Sequence, residues 1–119
     1  VRFVQPFLLE EAKHNPRLAA FINYYRDRYL LNEFEPIPAP AGTVHAFELV
    51  HLLAQAVTQA KSGEHQAIQQ ALEHLKKPYP GILNTYAPPF TAERHEALTP
   101  VMLRLARYDS NGHIVGIHK

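Results

Sequence analysis

Three stretches of this chain place apolar residues at helical spacing, and four place them at alternate positions. The first helical stretch follows Asn15-Pro16, where asparagine suits the cap and proline the first helical position. Leu18, Phe21, Ile22, Tyr25 and Tyr29 form its apolar face, with Arg17, Asn23, Arg26, Asp27 and Arg28 mostly opposite. The second is the longest, Ala39 to Lys61. Pro40 and Gly42 mark its approach and Thr43 suits the cap. Val44, Phe47, Val50, Leu53, Ala54, Val57 and Ala60 make its stripe. Leu49, Leu52 and Ala56 widen that stripe, which predicts a helix covered on more than one side. Ser62-Gly63 breaks it, and Ser62 starts a third helix carrying Ile68, Ala71, Leu72 and Leu75. Glu64 near its start and Lys76 and Lys77 at its end match the helix dipole.

The strand-like stretches are shorter. Val1 to Phe7 sets Val1, Phe3 and Gln5 against Arg2 and Val4, and Pro6 ends it. Nothing near it forms a hairpin with it, so its sheet is expected to lie partly outside the chain. Gly81 to Tyr86 reads as a strand with Ile82, Asn84 and Tyr86 on one face. Val101 to Tyr108 alternates Val101, Leu103 and Leu105 against Met102, Arg104 and Ala106. Asn111-Gly112 then predicts a hairpin leading into a strand from His113 to His118. Prolines 36, 38 and 40 keep residues 31–42 extended, and 90–100 reads as a surface excursion with a single helical turn at 92–98.

Composition narrows the field. At 119 residues and 46% hydrophobic content the chain is one ordinary domain with enough apolar material for a core. A net charge of +1 gives no basic footprint, so nucleic acid is not an expected partner. Tyr24, Tyr25 and Tyr29 beside Arg26 and Arg28 are read as a solvated helix face rather than a base-stacking platform. No apolar run approaches the roughly 20 residues of a membrane span, and no signal peptide is present. The chain opens inside a strand and its only methionine is Met102, so it reads as a piece cut from something longer.

Candidate chemistry is sparse. With zero cysteines, thiol catalysis and disulfides are excluded. The eight histidines lack metal-ligand spacing: His95-Glu96 is followed by Thr99 where a zinc-protease helix needs histidine, and His45 and His51 do not share a helical face. Ser62 and Ser110 lack a nucleophile-elbow pattern. The expectation is therefore a binding protein, not an enzyme, with no metal and no cofactor. One feature points to a ligand. A helix start at Gly42-Thr43 presents unpaired amides and partial positive charge to an anion, and Gly42 permits close backbone approach. Phe7, Thr43, Val44 and His45 are the candidate ligand-binding residues, with capping and burial as the competing explanation of the same letters.

The order FVQPF, NPRLAAFINYYRDRY, GTVHAFELVHLLAQAVTQAKSGEHQAIQQALEHLK, GILNTY and LRLARYDSNGHIVGI resembles the C-terminal third of a type I periplasmic solute-binding protein. Within that group it is most similar to the branched-chain amino acid and amide binding proteins of ABC transporters, which commonly have an aromatic at the place of Phe47. The resemblance implies an α/β fragment of a two-lobed fold, three helices packed on short strands plus a C-terminal β-hairpin. Residues 1–7 would lead to the hinge, 8–98 would belong to the N-terminal lobe, and 99–119 would form the crossover and hairpin of the C-terminal lobe. It also implies a periplasmic or extracytoplasmic location, an amino acid or amide ligand, and an ABC permease as partner. The rival reading is a ligand-sensing domain of a receptor or regulator, or a protein-interaction module using the tyrosine surface. Cut sheet edges add an expectation of strand-exchanged self-association.

Overall fold

The computed structural model describes residues 1–117. The fold is mixed helix and strand, with three α-helices and five short strands in two antiparallel sheets among the described residues. It divides into two compact units, 1–41 with 100–119, and 42–99.

In the first unit, strand β1 (Arg2–Gln5), helix α1 (Pro16–Tyr29), strand β4 (Arg104–Tyr108) and strand β5 (Ile114–Gly116) surround the buried Phe7, Leu8, Leu18, Phe21, Ile22, Ile37 and Ala106. The sheet order is β1-β4-β5. β1 therefore finds its partner inside the chain: Phe3 lies opposite Ala106 and Val4 opposite Leu105. Sequence proximity gave no hint of this pairing, because the partner lies about a hundred residues on. The register also reverses the expected faces of β4. Ala106 is 0% exposed, whereas Leu105 is 44% exposed, because Ala106 faces the same side as Phe3 and Gly116. The smallest residue of the strand is the one that fits under cover.

The β4–β5 hairpin forms as its turn letters predict. Gly112 adopts φ 80°, a left-handed conformation that glycine takes without strain, and Asp109 Oδ1 accepts from the amides of Asn111 and His113 at 2.8 and 2.9 Å. β5 ends at Gly116, and His118 lies outside the described residues.

α1 starts where expected, with Asn15 Oδ1 accepting from the amides of Arg17 and Leu18, both at 3.1 Å. Its buried face is Leu18, Phe21 and Ile22. Tyr25 is half-buried and Tyr29 exposed, their rings 4.6 Å apart on one side of the helix. Residues 9–13 form a short 3-10 helix that the periodicity did not disclose. Its Glu11 accepts from Leu8 N at 3.1 Å and from Arg104 Nε at 2.8 Å, so a local cap and a tie to β4 share one carboxylate.

Helix α2 spans Pro40–Ala60, starting four residues earlier than the Thr43 cap predicts. Pro40 does not keep the chain extended; it occupies the first helical position, where its missing N–H costs no bond. Gly42 consequently sits in the first turn without a left-handed φ, and a Cβ there would meet nothing within 4 Å. Gly42→Ala is expected to stabilise the chain by about 0.5–1 kcal/mol, read as a higher urea midpoint, because no contact offsets the entropic cost of a helical glycine.

The buried stripe of α2 is Val44, Glu48, Leu52 and Ala56. Expected core positions Val50, Leu53 and Val57 are exposed, Val50 at 64%, and Leu49 with them. A helix that is apolar nearly all round gives periodicity no basis for choosing a face. Packing of Leu52 and Ala56 with Ala71, Leu75, Tyr79 and Tyr86 makes the choice here.

Helix α3 (His65–Glu73) is shorter than predicted, with Glu64 at its cap position and Ser62 Oγ accepting from Glu64 N at 3.1 Å. Lys76 and Lys77 fall outside it, so they do not complement its dipole. Gln59 of α2 holds the chain after α3, donating to His74 O at 2.9 Å and accepting from Lys76 N at 2.9 Å, while Gln55 donates to Lys77 O at 2.8 Å. Those side chains, with Pro78 ahead, stop the helix. The predicted strand at Gly81–Tyr86 is instead a small hairpin: β2 (Tyr79–Pro80) pairs with β3 (Thr85–Tyr86), and residues 81–84 make the turn. No helical turn forms at 92–98. A tight turn with Thr91 bridging Arg94 replaces it.

Candidate functional site

The four residues selected from sequence fall in different places. Phe7 is a core side chain of the first unit, 4% exposed, at the wall of a cavity of about 460 Å³ that also includes Ile37 and Tyr108. Thr43, Val44 and His45 lie in the first two turns of α2, in the second unit. Val44 is 1% exposed. With α2 starting at Pro40, which carries no N–H, the amides outside intrahelical bonding are those of residues 41 and 42, and those of Thr43, Val44 and His45 lie where intrahelical bonding has begun. The donor end that the sequence placed at Thr43 to His45 is thus displaced by one turn.

His45 does face a cavity. It lines a space of about 350 Å³ in the second unit with Glu48, Leu49, Leu52, Tyr86, Phe90 and the segment 96–98. Glu48 is the residue that the sequence reading passed over, since it sits between Phe47 and Leu49 in an apolar run. It is 4% exposed. Its Oε1 accepts from Leu83 N at 3.1 Å and its Oε2 from the Tyr86 hydroxyl at 3.1 Å, so the 81–84 turn is built around a carboxylate. The available signal was a lone acid among apolar helix positions, spaced four from Val44 and from Leu52.

The opposite wall is ordered by Arg94. Its guanidinium donates to the carbonyl oxygens of Pro88 at 3.1 Å, of Pro89 at 3.2 Å and of Glu96, and its amide donates to Thr91 Oγ1 at 3.1 Å. One side chain therefore gathers the carbonyls on both sides of the Thr91–Arg94 turn and holds Phe90, Ala97 and Leu98 against the core.

The two stacked tyrosines beside Glu48, with ring centroids 6.2 Å apart, feel both burial and its charge. Burial pushes the Tyr86 phenol up to about 12, with the negative charge of Glu48 as the second cause. Tyr79 is raised by the same two causes in the same order. The phenol of Tyr86 is thus held neutral in the folded chain beyond the ordinary value of 10.0. Its contribution to stability is complete below pH 10 and is lost as pH rises through about 12. Stability to urea is expected to fall across that alkaline window, and Tyr86→Phe should remove part of the fall while costing about 1 kcal/mol at neutral pH for the lost hydrogen bond.

Among the described residues no group of three or more His, Cys, Asp or Glu side chains converges as a metal site. His95 instead approaches Glu73 at 3.5 Å and His113 approaches Asp109 at 3.4 Å. No described helix is long and apolar enough to cross a membrane. Comparison with family models, curated proteins and solved structures returned no match.

Proposed function

We propose that this chain is part of an extracytoplasmic solute-binding protein that delivers an amino acid, amide or similar small polar compound to an ABC importer. The fold behind that reading is the two-lobed type I periplasmic-binding-protein fold, in which two lobes close on a ligand about a hinge without chemistry. The observation that carries the proposal is the path of the chain, which belongs to one compact unit through residue 41, to another from 42 to 99, and to the first again from 100. Repeated passage of one chain between two units is what a hinge-closing binder requires. The order of elements, from β1 through the long α2 to the β4–β5 hairpin, supports the same reading.

The test is calorimetric titration of the complete gene product with branched-chain and other amino acids, short amides and aromatic acids. Saturable binding of one of these classes, weakened about tenfold or more by Thr43→Trp (about 1.4 kcal/mol per factor of ten), is the expected result. Absence of binding across the panel removes the transport reading. Unchanged affinity in the variant removes the first turns of α2 from the site. The exposure of Tyr24 and Tyr29, with Arg28 5.9 Å from the Tyr29 ring centre, favours the second reading, a sensing or protein-interaction domain. Permease and ATPase genes beside the reading frame favour the first, and a fused signalling or DNA-binding domain favours the second.

A further inference from the structure

The cavity at Glu48 has a composition that selects its occupant. Its walls are Leu49, Leu52, Phe90, Ala97 and Leu98, and its polar residues are His45, Glu48, Tyr86 and Glu96. No lysine or arginine lines it. At about 350 Å³ it falls at the lower end of the range for small-molecule sites, roughly 300–1,000 Å³, which are mostly apolar with a few placed polar groups.

The polar groups are predominantly acceptors. The Glu48 carboxylate already accepts from Leu83 N and the Tyr86 hydroxyl, one bond on each oxygen. A carboxylate has about four lone-pair sites, so each oxygen retains capacity for a further donor. His45 lines the cavity, but its Nε2 has no accessible surface there, so the ring supplies wall and not an acceptor. Glu96, an exposed residue on the same cavity, supplies a second carboxylate.

We infer that this cavity binds a primary amine with a compact apolar body, its ammonium group directed at Glu48 and its body against Leu49, Phe90 and Leu98. An ammonium has three donors and no acceptor, the complement of this acceptor set. An anion would meet two carboxylates and no fixed cation. A purely apolar molecule would bury the carboxylate further without giving it a donor. The site lies wholly within residues 42–99 and does not depend on the transport reading, whose ligand would be held between lobes.

The experiment is titration of the isotopically labelled full chain with phenethylamine, phenethyl alcohol and 3-phenylpropionate, following the methyl resonances of Leu49, Leu52 and Leu98. Saturable shifts at these methyls with the amine, at least about tenfold weaker with the alcohol and absent with the acid, are expected. Glu48→Gln keeps the side chain's shape and should weaken amine binding by about tenfold or more while leaving any affinity for the alcohol nearly unchanged. Ala97→Phe fills the cavity from its partly exposed loop and should abolish the shifts in a chain that remains folded, which keeps the test decisive if Glu48→Gln unfolds. Equal binding of amine and alcohol, binding of the acid, shifts confined to other methyls, unchanged amine affinity in Glu48→Gln, or retained binding in Ala97→Phe would each overturn the inference.

Discussion

Glu48→Ala is expected to lower the stability of the chain by about 3–5 kcal/mol, because it leaves a buried donor, the Tyr86 hydroxyl, and a half-buried one, Leu83 N–H, without the acceptor each uses, and opens a void besides. Each orphaned donor contributes about 1–3 kcal/mol to that loss. Against a total of about 5–15 kcal/mol for a domain, the variant should stand near the edge of folding. Glu48→Gln retains an oxygen for Leu83, and the Tyr86 hydroxyl can rotate, so a loss of about 1–2 kcal/mol is expected there. Urea unfolding of both variants beside Glu93→Ala, an exposed acid, makes the comparison. A Glu48→Ala midpoint indistinguishable from that of Glu93→Ala would mean that the carboxylate organises nothing.

Gly81→Ala should be nearly as damaging, at about 3 kcal/mol or more, through crowding rather than vacancy. A Cβ at Gly81 would stand 2.5 Å from Glu48 Oε1, 2.9 Å from Asn84 O and 2.9 Å from Tyr86 Cε2. Asn84 O is backbone, and the other two belong to the hydrogen-bonded pair, so none of the three can yield cheaply. Gly63 is the control, since a Cβ there meets nothing within 4 Å. Thermal unfolding of Gly81→Ala and Gly63→Ala should separate them clearly. The Glu48 and Gly81 effects share a neighbourhood and are not expected to add.

Where the chain dictates local geometry, the sequence reading and the structure agree. Asn15-Pro16 capped α1, Asn111-Gly112 turned the hairpin, and Phe3 and Gln5 took the covered side of β1. Agreement failed wherever a decision depended on residues far away. β4 turned its other face because β1, near the opposite end of the chain, brings Phe3 against Ala106. α3 stopped early because glutamines of α2 take the backbone groups that another helical turn would have used. The candidate site failed for a related reason. An acid inside an apolar helix looks like part of a polar face until the turn at 81–84 supplies its donors, and those donors are a backbone amide and a tyrosine 35 and 38 residues away. The role of Arg94 was equally hidden, since its partners are main-chain oxygens that carry no letter of their own.

The pairing of β1 with β4 also sets an order of events. Arg2 lies opposite Arg107, so β1 must wait, unpaired, while all the residues between the two strands are made. Residues 42–99, by contrast, are contiguous, and their pairings span far less chain. Contacts between sequence neighbours form sooner than contacts that close a long loop, although the extra closure entropy grows only slowly, by about 0.6 kcal/mol per doubling. During synthesis the segment around Glu48 can therefore mature while the sheet of the first unit still lacks its central strand. Until that strand arrives, Phe3 and its neighbours present an unsatisfied edge to whatever else is in solution.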